Sequence, residues 1–264
     1  MKIINKILFC YRITGDLSSF FRLVINSKKL SRSKSRAIPT DKINSFFPLN
    51  IRYKTISQTI FLRTYRGDID MFYEIFHVGI YALPAAVKDV RLIIDLGANI
   101  GLSAIYFTAI FPEARIICVE PGEDNYRMLV KNLDIQIKTQ QIETVKAAVS
   151  LTNGRVSFED GKMHYNGKVI DGILNNTDAI SLPTLLDNYK IDKVGLMKID
   201  IEGSEKEILS GHLHWLKAVE SIVIEMHSDL ITDSCLAALN QNNFRTSQIT
   251  NDPTNKYLYL ATKV

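Results

Sequence analysis

Cysteines and long apolar runs are both scarce in this sequence. The 264 residues include only three cysteines, Cys10, Cys118 and Cys235, which form neither a CxxC pair nor a cysteine–histidine metal pattern. A disulfide framework is therefore not predicted, and a reducing compartment such as the cytoplasm is expected. The apolar stretch at residues 3–11 is shorter than the ~20 residues that a membrane span needs. No small-residue cleavage site follows it, so a signal peptide is not predicted either.

Acidic residues are nearly absent from the first 66 positions. This segment carries 14 lysines and arginines against two acids, Asp16 and Asp41, whereas the rest of the chain has 18 basic and 26 acidic residues. The net charge of +4 therefore combines a basic arm with an acidic body. Such an arm suits an anionic partner, which could be a membrane surface, a phosphorylated substrate carrier or a nucleic acid. The alternative is a solvated basic helix followed by a linker.

The chain divides into three predicted parts. Residues 1–50 form a basic helical arm with a linker that is rich in Ser, Lys and Arg over residues 28–42. The arm has apolar residues at helical spacing, and the favoured interpretation is an amphipathic helix that packs on the body, with contact to a membrane as the alternative. Residues 51–89 form a small cap, with a hairpin that begins at Ile51 and a helix over residues 70–82. Residues 90–264 form the core domain.

Strands and helices alternate from residue 90 onwards. The predicted strands are residues 90–94, 115–119, 143–149, 194–199 and 221–225. The predicted helices are residues 102–111, 124–133, 182–189, 205–209 and 231–242. A hairpin-like insertion is expected at residues 155–173, and two strand-like runs at 244–249 and 257–262 close the chain. This order predicts an α/β, Rossmann-like fold with a doubly wound, seven-stranded, mostly parallel sheet and an antiparallel C-terminal hairpin.

A glycine-containing loop, Asp95-Leu96-Gly97-Ala98-Asn99-Ile100-Gly101, stands between a buried strand and a helix. Gly97 and Gly101 allow the backbone to turn tightly and to approach a ligand closely. The following helix directs free N–H groups and a positive dipole end towards this loop. Ligands of open α/β sheets bind at this edge, although a plain strand-to-helix turn has similar glycines.

Asn99 and two acids, Asp95 in the loop and Glu120 after the second strand, distinguish this site from a dinucleotide-binding motif. Asn99 occupies the position of the middle glycine, and the nearby Asp95 would repel a pyrophosphate but suits the cationic amino-acid end of S-adenosylmethionine. Glu120, followed by Pro121, ends the second strand, where an acid is placed to accept hydrogen bonds from both ribose hydroxyls of a nucleoside. Together these features predict an S-adenosylmethionine site.

The same stretches, taken with others, resemble one protein family. They are residues 94–101, residues 119–121 with Asn125 and Asn132, residues 182–185, residues 197–205, residues 224–227, and residues 66–68 with Tyr81. Their combination resembles the FkbM methyltransferases of the class I fold over roughly residues 60–230. The resemblance implies S-adenosylmethionine as the methyl donor and an acceptor hydroxyl, often on a sugar or polyketide. The expected donor-binding residues are Asp95, Gly97, Asn99, Gly101, Glu120, Pro121, Asn125, Ala148 and Asp200.

The acceptor side is expected where the fourth and fifth strands end. Asp200 and Glu202 follow the fourth strand, and His227 follows the fifth, beside the glycine loop. His227 is the candidate base because histidine titrates near neutral pH, with a hydrogen-bonded structural histidine as the alternative. Asp200 and Glu202 could orient the acceptor, bind the donor's ammonium or together hold a divalent cation, although no metal is predicted. For Glu205 helix capping is favoured.

The predicted activity is therefore O-methylation of a sugar, a glycan or another small metabolite. A nicotinamide oxidoreductase is disfavoured by Asn99 and Asp95. An N-methyltransferase or a nucleic-acid methyltransferase that uses the basic arm is a further alternative. No nucleic acid is expected as a partner, because the arm lacks aromatic residues at base-stacking spacing. A donor-binding fold without catalysis is the remaining option, and no oligomeric state is predicted.

Overall fold

The structure is a computed structural model that describes residues 2–33, 42, 44–159, 168–170, 176–249 and 257–264. Its helices are α1 Lys2–Ile13, α2 Leu17–Ser33, α3 Asp68–Tyr73, α4 Leu102–Ile110, α5 Glu123–Asn132, α6 Asp134–Lys138, α7 Leu182–Asn188, α8 Glu205–Ser210 and α9 Asp229–Gln241. A π-helical segment, Glu74–Val78, continues α3, and a 3₁₀ helix spans Leu213–Ala218. The strands are β1 Phe46–Tyr53, β2 Ile56–Arg63, β3 Leu92–Leu96, β4 Arg115–Val119, β5 Ile142–Val145, β6 Ala148–Ser150, β7 Gly154–Glu159, β8 Lys168–Ile170, β9 Thr177–Ser181, β10 Leu196–Ile199, β11 Ser221–Glu225, β12 Phe244–Gln248 and β13 Leu258–Lys263.

The central sheet has seven strands in the order β12-β13-β11-β10-β3-β4-β5. The five strands from β11 to β5 run parallel, and β13 pairs antiparallel with both β11 and β12. The inner strands β3, β4 and β10 are short apolar runs that are buried on both faces, as a parallel sheet covered by helices requires. The predicted α/β fold, with its seven-stranded mostly parallel sheet and antiparallel C-terminal hairpin, is confirmed. The topology brings the carboxyl ends of β4, β3, β10 and β11 to one edge.

The predicted strand at residues 143–149 is wrong, because it is two strands in different sheets. β5 ends at Val145 on the edge of the central sheet, whereas β6 starts at Ala148 in a four-stranded sheet of order β6-β9-β7-β8. A continuous apolar pattern does not reveal where a chain changes its pairing partner. The expected hairpin-like insertion is present as the antiparallel pair β7–β8, and residues 160–167 and 171–175 of that insertion lie outside the described residues.

The cap begins earlier and contains a shorter helix than the pattern predicted. The β1–β2 hairpin starts at Phe46 within the predicted arm, and α3 covers only Asp68–Tyr73 before the π-helical segment takes over. Gly79 ends that segment in the left-handed conformation (φ 75°), so the helix predicted to residue 82 stops there.

The arm consists of two helices that pack on the cap with one face. Cys10, Ile13, Leu23 and Leu30 are buried, and the Cys10 thiol lies 3.2 Å from the Tyr73 hydroxyl. The arm therefore packs on the body, as the favoured interpretation held. α2 extends into the predicted linker as far as Ser33, and residues 34–41 lie outside the described residues. Among the described residues, no helix combines the length and apolar character that spanning a bilayer requires.

Candidate active site

The glycine loop is shaped by contacts within the protein. Gly97 (φ 74°) and Gly101 (φ 86°) are both left-handed, a conformation that costs any other residue strain. A Cβ atom on Gly97 would lie 1.8 Å from the Asp200 carbonyl oxygen, and one on Gly101 would lie 3.0 Å from the Leu133 side chain. These contacts give both glycines a structural reason, and the expectation that they also let the backbone approach a ligand stays a prediction. They allow the loop to press against the end of β10 and against Leu133.

A cleft of about 270 Å³, including its open mouth, lies along this loop. It is lined by Met71, Ile75, Tyr81, Gly97, Ala98, Asn99, Ile100, Leu102, Ser103, Lys198 and Asp200. Asn99 adopts a positive φ of 49° and its side-chain Oδ1 is buried without a hydrogen-bond partner in the described structure. Buried polar atoms are rarely left unpaired, so this oxygen fits a donor group of a ligand in the cleft.

Glu120 lies at the carboxyl end of β4 beside Asn99, as predicted. The backbone N–H of Asn99 donates to its Oε2 and that of Gly122 to its Oε1, both at 2.9 Å. Burial raises the pKa of Glu120 to about 7, although these N–H groups act in the opposite direction. Each carboxylate oxygen can accept a second hydrogen bond, but Glu120 is only 4% exposed and is not among the residues that line the cleft, so its contact with ligand hydroxyls stays a prediction. Pro121 follows directly.

A buried arginine connects the cap to Glu120. Arg63, at the end of β2, is only 2% exposed and forms a bidentate pair with Asp68 at 2.8 and 2.9 Å. Its Nη2 also donates to the Asn125 side-chain oxygen at 2.8 Å, and the Asn125 amide lies 3.5 Å from Glu120 Oε1. The Asn125 side chain thus links Arg63 to Glu120. Sequence reasoning missed Arg63, because the stretches that carried the resemblance did not include it and its partner Asn125 lies 62 positions further along the chain.

Asp95 is paired within the protein. Its side chain is completely buried, accepts a hydrogen bond from Ser103 at 2.5 Å and lies 3.1 Å from the ammonium of Lys198. Asp95 does not line the cleft described above, so the expected direct contact with the ammonium of a donor is corrected. Its negative charge instead stabilises a lysine that does line the cleft.

Lys198 joins the donor loop to the end of β10. Its Nζ donates to the Gly97 carbonyl oxygen at 3.0 Å and lies 3.3 Å from Asp200 Oδ2. Burial by itself would lower the pKa of Lys198, but the Asp95 and Asp200 carboxylates reverse the shift and raise it. The lysine therefore stays charged. Sequence reasoning gave it no role, because two of its three partners, Asp95 and Gly97, lie about 100 positions earlier in the chain.

His227 meets three carboxylates beyond the ends of β10 and β11. Its Nδ1 is 2.9 Å from Glu205 Oε1, and its Nε2 is 3.3 Å from Glu202 Oε2 and 3.5 Å from Asp200 Oδ1. The predicted trio of Asp200, Glu202 and His227 is thus brought together at one edge. Glu202 adopts a positive φ of 54°, which turns the chain sharply after Asp200.

Glu205 organises this turn in addition to starting α8. The residue is completely buried, and its Oε1 accepts hydrogen bonds from the N–H groups of Ile201 and Gly203, both at 3.2 Å. The same oxygen fixes the His227 ring. The capping role expected for Glu205 is therefore incomplete, since one carboxylate both shapes the loop and orients the histidine.

The surrounding charges set the protonation states of this edge. Burial would lower the pKa of His227, but the hydrogen bond that its Nδ1–H donates to Glu205 and the nearby Asp200 carboxylate raise it to about 10. Burial and repulsion by Asp200 raise the pKa of Glu202 to about 8, and the same two causes raise that of Glu225 to about 7. The premise that His227 titrates near neutrality is revised, because these carboxylates raise its pKa to about 10.

Tyr81 closes the cleft next to Asp200. Its hydroxyl donates to Asp200 Oδ2 at 3.4 Å, and its ring packs against Phe107 at a centroid distance of 5.7 Å. Complete burial, followed by repulsion from Asp200, raises the pKa of Tyr81 well above its usual value, so it remains a hydrogen-bond donor.

Two further expectations concern Ala148 and a metal. Ala148 is buried in β6 and is not among the cleft-lining residues, because its strand leaves the central sheet.

One ligand atom from each of Asp200, Glu202 and His227 lies within 4.8 Å of the others, a spacing that could hold a cation.

The strand order, the glycine loop and the acid at the end of β4 define a class I methyltransferase fold. The crystal structure of Methyltransferase FkbM from Methylobacillus flagellatus KT superposes with a TM-score of 0.50 at 19% identity, covering 72% of this chain and 47% of that one. Residues 95–246 match the sequence model of the methyltransferase FkbM domain. The chain belongs to this family of S-adenosylmethionine-dependent methyltransferases.

Two curated relatives share the matched region. Hexuronic acid methyltransferase AglP of Haloferax volcanii is 27% identical over 169 residues, covering 63% of this chain and 65% of the relative. Methyltransferase sdnD of Sordaria araneosa is 24% identical over 169 residues, covering 50% and 65%. The match thus covers 65% of each of these relatives, which is less than two thirds of its length. These matches do not favour the oxidoreductase or nucleic-acid alternatives.

Proposed function

We propose that this protein transfers a methyl group from S-adenosylmethionine to a hydroxyl of a sugar, a glycan or another small metabolite. The observation that carries the proposal is the cluster of His227, Glu202 and Asp200 at the edge of a cleft formed by the glycine loop. A donor side and a proton-accepting side therefore meet at adjacent strand ends. The three buried cysteines are free, which is consistent with the reducing cytoplasm expected from the sequence.

The donor side suits a cationic nucleoside. S-adenosylmethionine supplies an electrophilic methyl group on a positively charged sulfur. Glu120 would accept hydrogen bonds from the ribose hydroxyls, and the unpaired Oδ1 of Asn99 offers an acceptor within the cleft. Asp200 adds negative charge at the open edge, and Glu202 adds a second negative charge when it loses its proton, which favours the binding of a cation there.

The acceptor side supplies a base. The acceptor oxygen forms a bond to the methyl carbon, the carbon–sulfur bond breaks with its electron pair on sulfur, and the hydroxyl proton passes to Glu202. With a pKa of about 8, Glu202 is a stronger base than an ordinary carboxylate. His227, oriented by Glu205, holds its proton and donates it towards Asp200 and Glu202, which keeps both carboxylates in place. This division of roles revises the expectation that His227 takes the proton.

A pH profile distinguishes the two bases. If Glu202 accepts the proton, kcat/KM rises as pH increases through about 8 and falls again as His227 loses its proton near pH 10, because kcat/KM reports the pKa values of the ligand-free enzyme. If neutral His227 is the base, kcat/KM continues to rise up to about pH 10 and shows no limb near pH 8. Abolition of activity by EDTA, with recovery on adding a divalent cation, would instead assign the two carboxylates and His227 to a metal.

The acceptor is tested with labelled donor and a panel of sugars. AglP is named as a hexuronic acid methyltransferase, so the panel should contain hexuronates and their neutral hexose counterparts. Transfer of tritiated methyl groups to a hydroxyl product supports the proposal. Calorimetric binding of NAD, with no binding of S-adenosylmethionine, would overturn it.

A further inference from the structure

The outer face of the arm carries large apolar side chains in solvent. On α1 these are Ile4, Ile7, Leu8 and Tyr11, and on α2 they are Leu17, Phe21 and Ile25. Positions three and four residues apart share one face of a helix, so each set forms a stripe along its helix. The stripes are strongly exposed, with 64% for both Ile4 and Leu17 and 56% for Phe21.

The two stripes form one continuous surface, here called the arm face. Tyr11 of α1 contacts Phe20 of α2 edge to face at a centroid distance of 6.3 Å, and Phe20 contacts Phe21 at 5.3 Å. The opposite faces of both helices are already occupied, since Cys10 and Leu23 are buried against the body. A rotation of the helices that buried the arm face would therefore expose the residues that are now packed against the body.

Positive charges border the arm face. The exposed Arg22, Lys28 and Lys29 lie on α2, and Lys28 and Lys29 continue the stripe beyond Ile25. The acid in the described part of the arm, Asp16, accepts hydrogen bonds from Ser19 at 2.8 Å and so caps α2. The face thus combines apolar side chains and basic residues with no carboxylate left uncommitted among its described residues.

We propose that the arm face docks on the surface of an anionic lipid bilayer. Aromatic and aliphatic side chains on one face of a helix, bordered by lysine and arginine, suit insertion at the boundary between headgroups and acyl chains. The lysines and arginines are attracted by anionic headgroups. A second copy of the chain fits less well, because pairing two such faces would bring their positive borders together.

Flotation of the full chain with vesicles tests this surface. Vesicles of about one-third phosphatidylglycerol in phosphatidylcholine are compared with pure phosphatidylcholine. The variant Leu17→Gln/Phe21→Gln/Ile25→Gln removes apolar contacts while keeping good helix formers, and we expect about 100-fold weaker binding to the anionic vesicles. Ile135→Gln is the control, because Ile135 is equally exposed but lies on α6 of the body, and it should bind like the wild type.

A charge reversal tests the second half of the argument. Lys28→Glu/Lys29→Glu should weaken binding to anionic vesicles about tenfold or more, and added salt should weaken wild-type binding. The donor affinity and melting temperature of both arm variants should match the wild type, since the altered side chains are exposed.

Three outcomes would overturn the proposal. They are equal binding to both kinds of vesicle, wild-type binding by the apolar variant, and no binding of the wild type even at low salt. Conversion of a dimer into a monomer by the apolar variant, seen by light scattering without any vesicle binding, would assign the arm face to a second copy.

Discussion

Replacing Gly97 with alanine should destabilise the protein through the contact with Asp200. The added Cβ would lie 1.8 Å from the Asp200 carbonyl oxygen, so the loop or the end of β10 must move. Strain at the positive φ costs about 1–2 kcal/mol. Relief of the overlap adds about 1–3 kcal/mol. We expect a total loss of about 2–5 kcal/mol in the free energy of unfolding, measured by urea denaturation. Donor affinity, measured by calorimetry, should fall as well because the loop moves.

Gly79→Ala is a matched control for this substitution. Gly79 has nearly the same φ as Gly97, 75° against 74°, but the nearest atom to a Cβ added at Gly79 is the Cβ atom of Ala82, at 3.9 Å. It should therefore show only the backbone strain of about 1–2 kcal/mol. Equal losses from both substitutions would refute the packing argument. A stable Gly97→Ala protein that no longer binds the donor would support the view that the glycine makes room for the ligand.

Three other predictions concern single residues. Glu120→Gln should weaken donor binding by about 1.5–3 kcal/mol and remove the gain in affinity expected for the wild type as pH rises through about 7, where Glu120 ionises; calorimetry across this range is the test. Glu202→Gln should lower turnover by roughly 10²–10⁴-fold at unchanged donor affinity, and normal turnover by this variant would remove Glu202 as the base. His227→Ala should move the acidic limb of the pH profile to higher pH, because the imidazolium lowers the pKa of Glu202. Arg63→Met should cost about 3–5 kcal/mol because it leaves a buried carboxylate without its partner. Arg155→Met should cost less than about 1 kcal/mol because its ion pair is exposed, so similar urea midpoints for the two variants would contradict the reasoning.

Local patterns were sufficient for the positions of the main elements. The apolar run before Asp95 and the glycines after it predicted β3, the loop and the start of α4. The proximity of Asp200, Glu202 and His227 could be predicted from the sequence, because parallel strands end at the same edge of a sheet. These inferences depend on neighbours in the chain or on topology, both of which are visible in a sequence.

Pairings between distant residues were not predictable in the same way. Lys198 reads as one polar residue in a strand, and only the fold shows that it lies between Asp95 and Asp200. The pKa of His227 likewise depends on three carboxylates whose distances no spacing rule supplies. The division of residues 143–149 into β5 and β6 was not predictable for the same reason, since the partner strand decides how a strand pairs.

In the proposed reaction, the acidic edge keeps the same net charge before and after methyl transfer. The donor enters with a positive sulfur and leaves with a neutral one, while Glu202 begins as a carboxylate and ends protonated. Because its pKa is about 8, Glu202 is mostly protonated at neutral pH before ligands bind. A cation that binds beside Asp200 and Glu202 therefore displaces that proton into solvent, and the acceptor hydroxyl later replaces it. In this proposed scheme, one proton would leave the site as the cation binds, and another would arrive when the positive charge disappears.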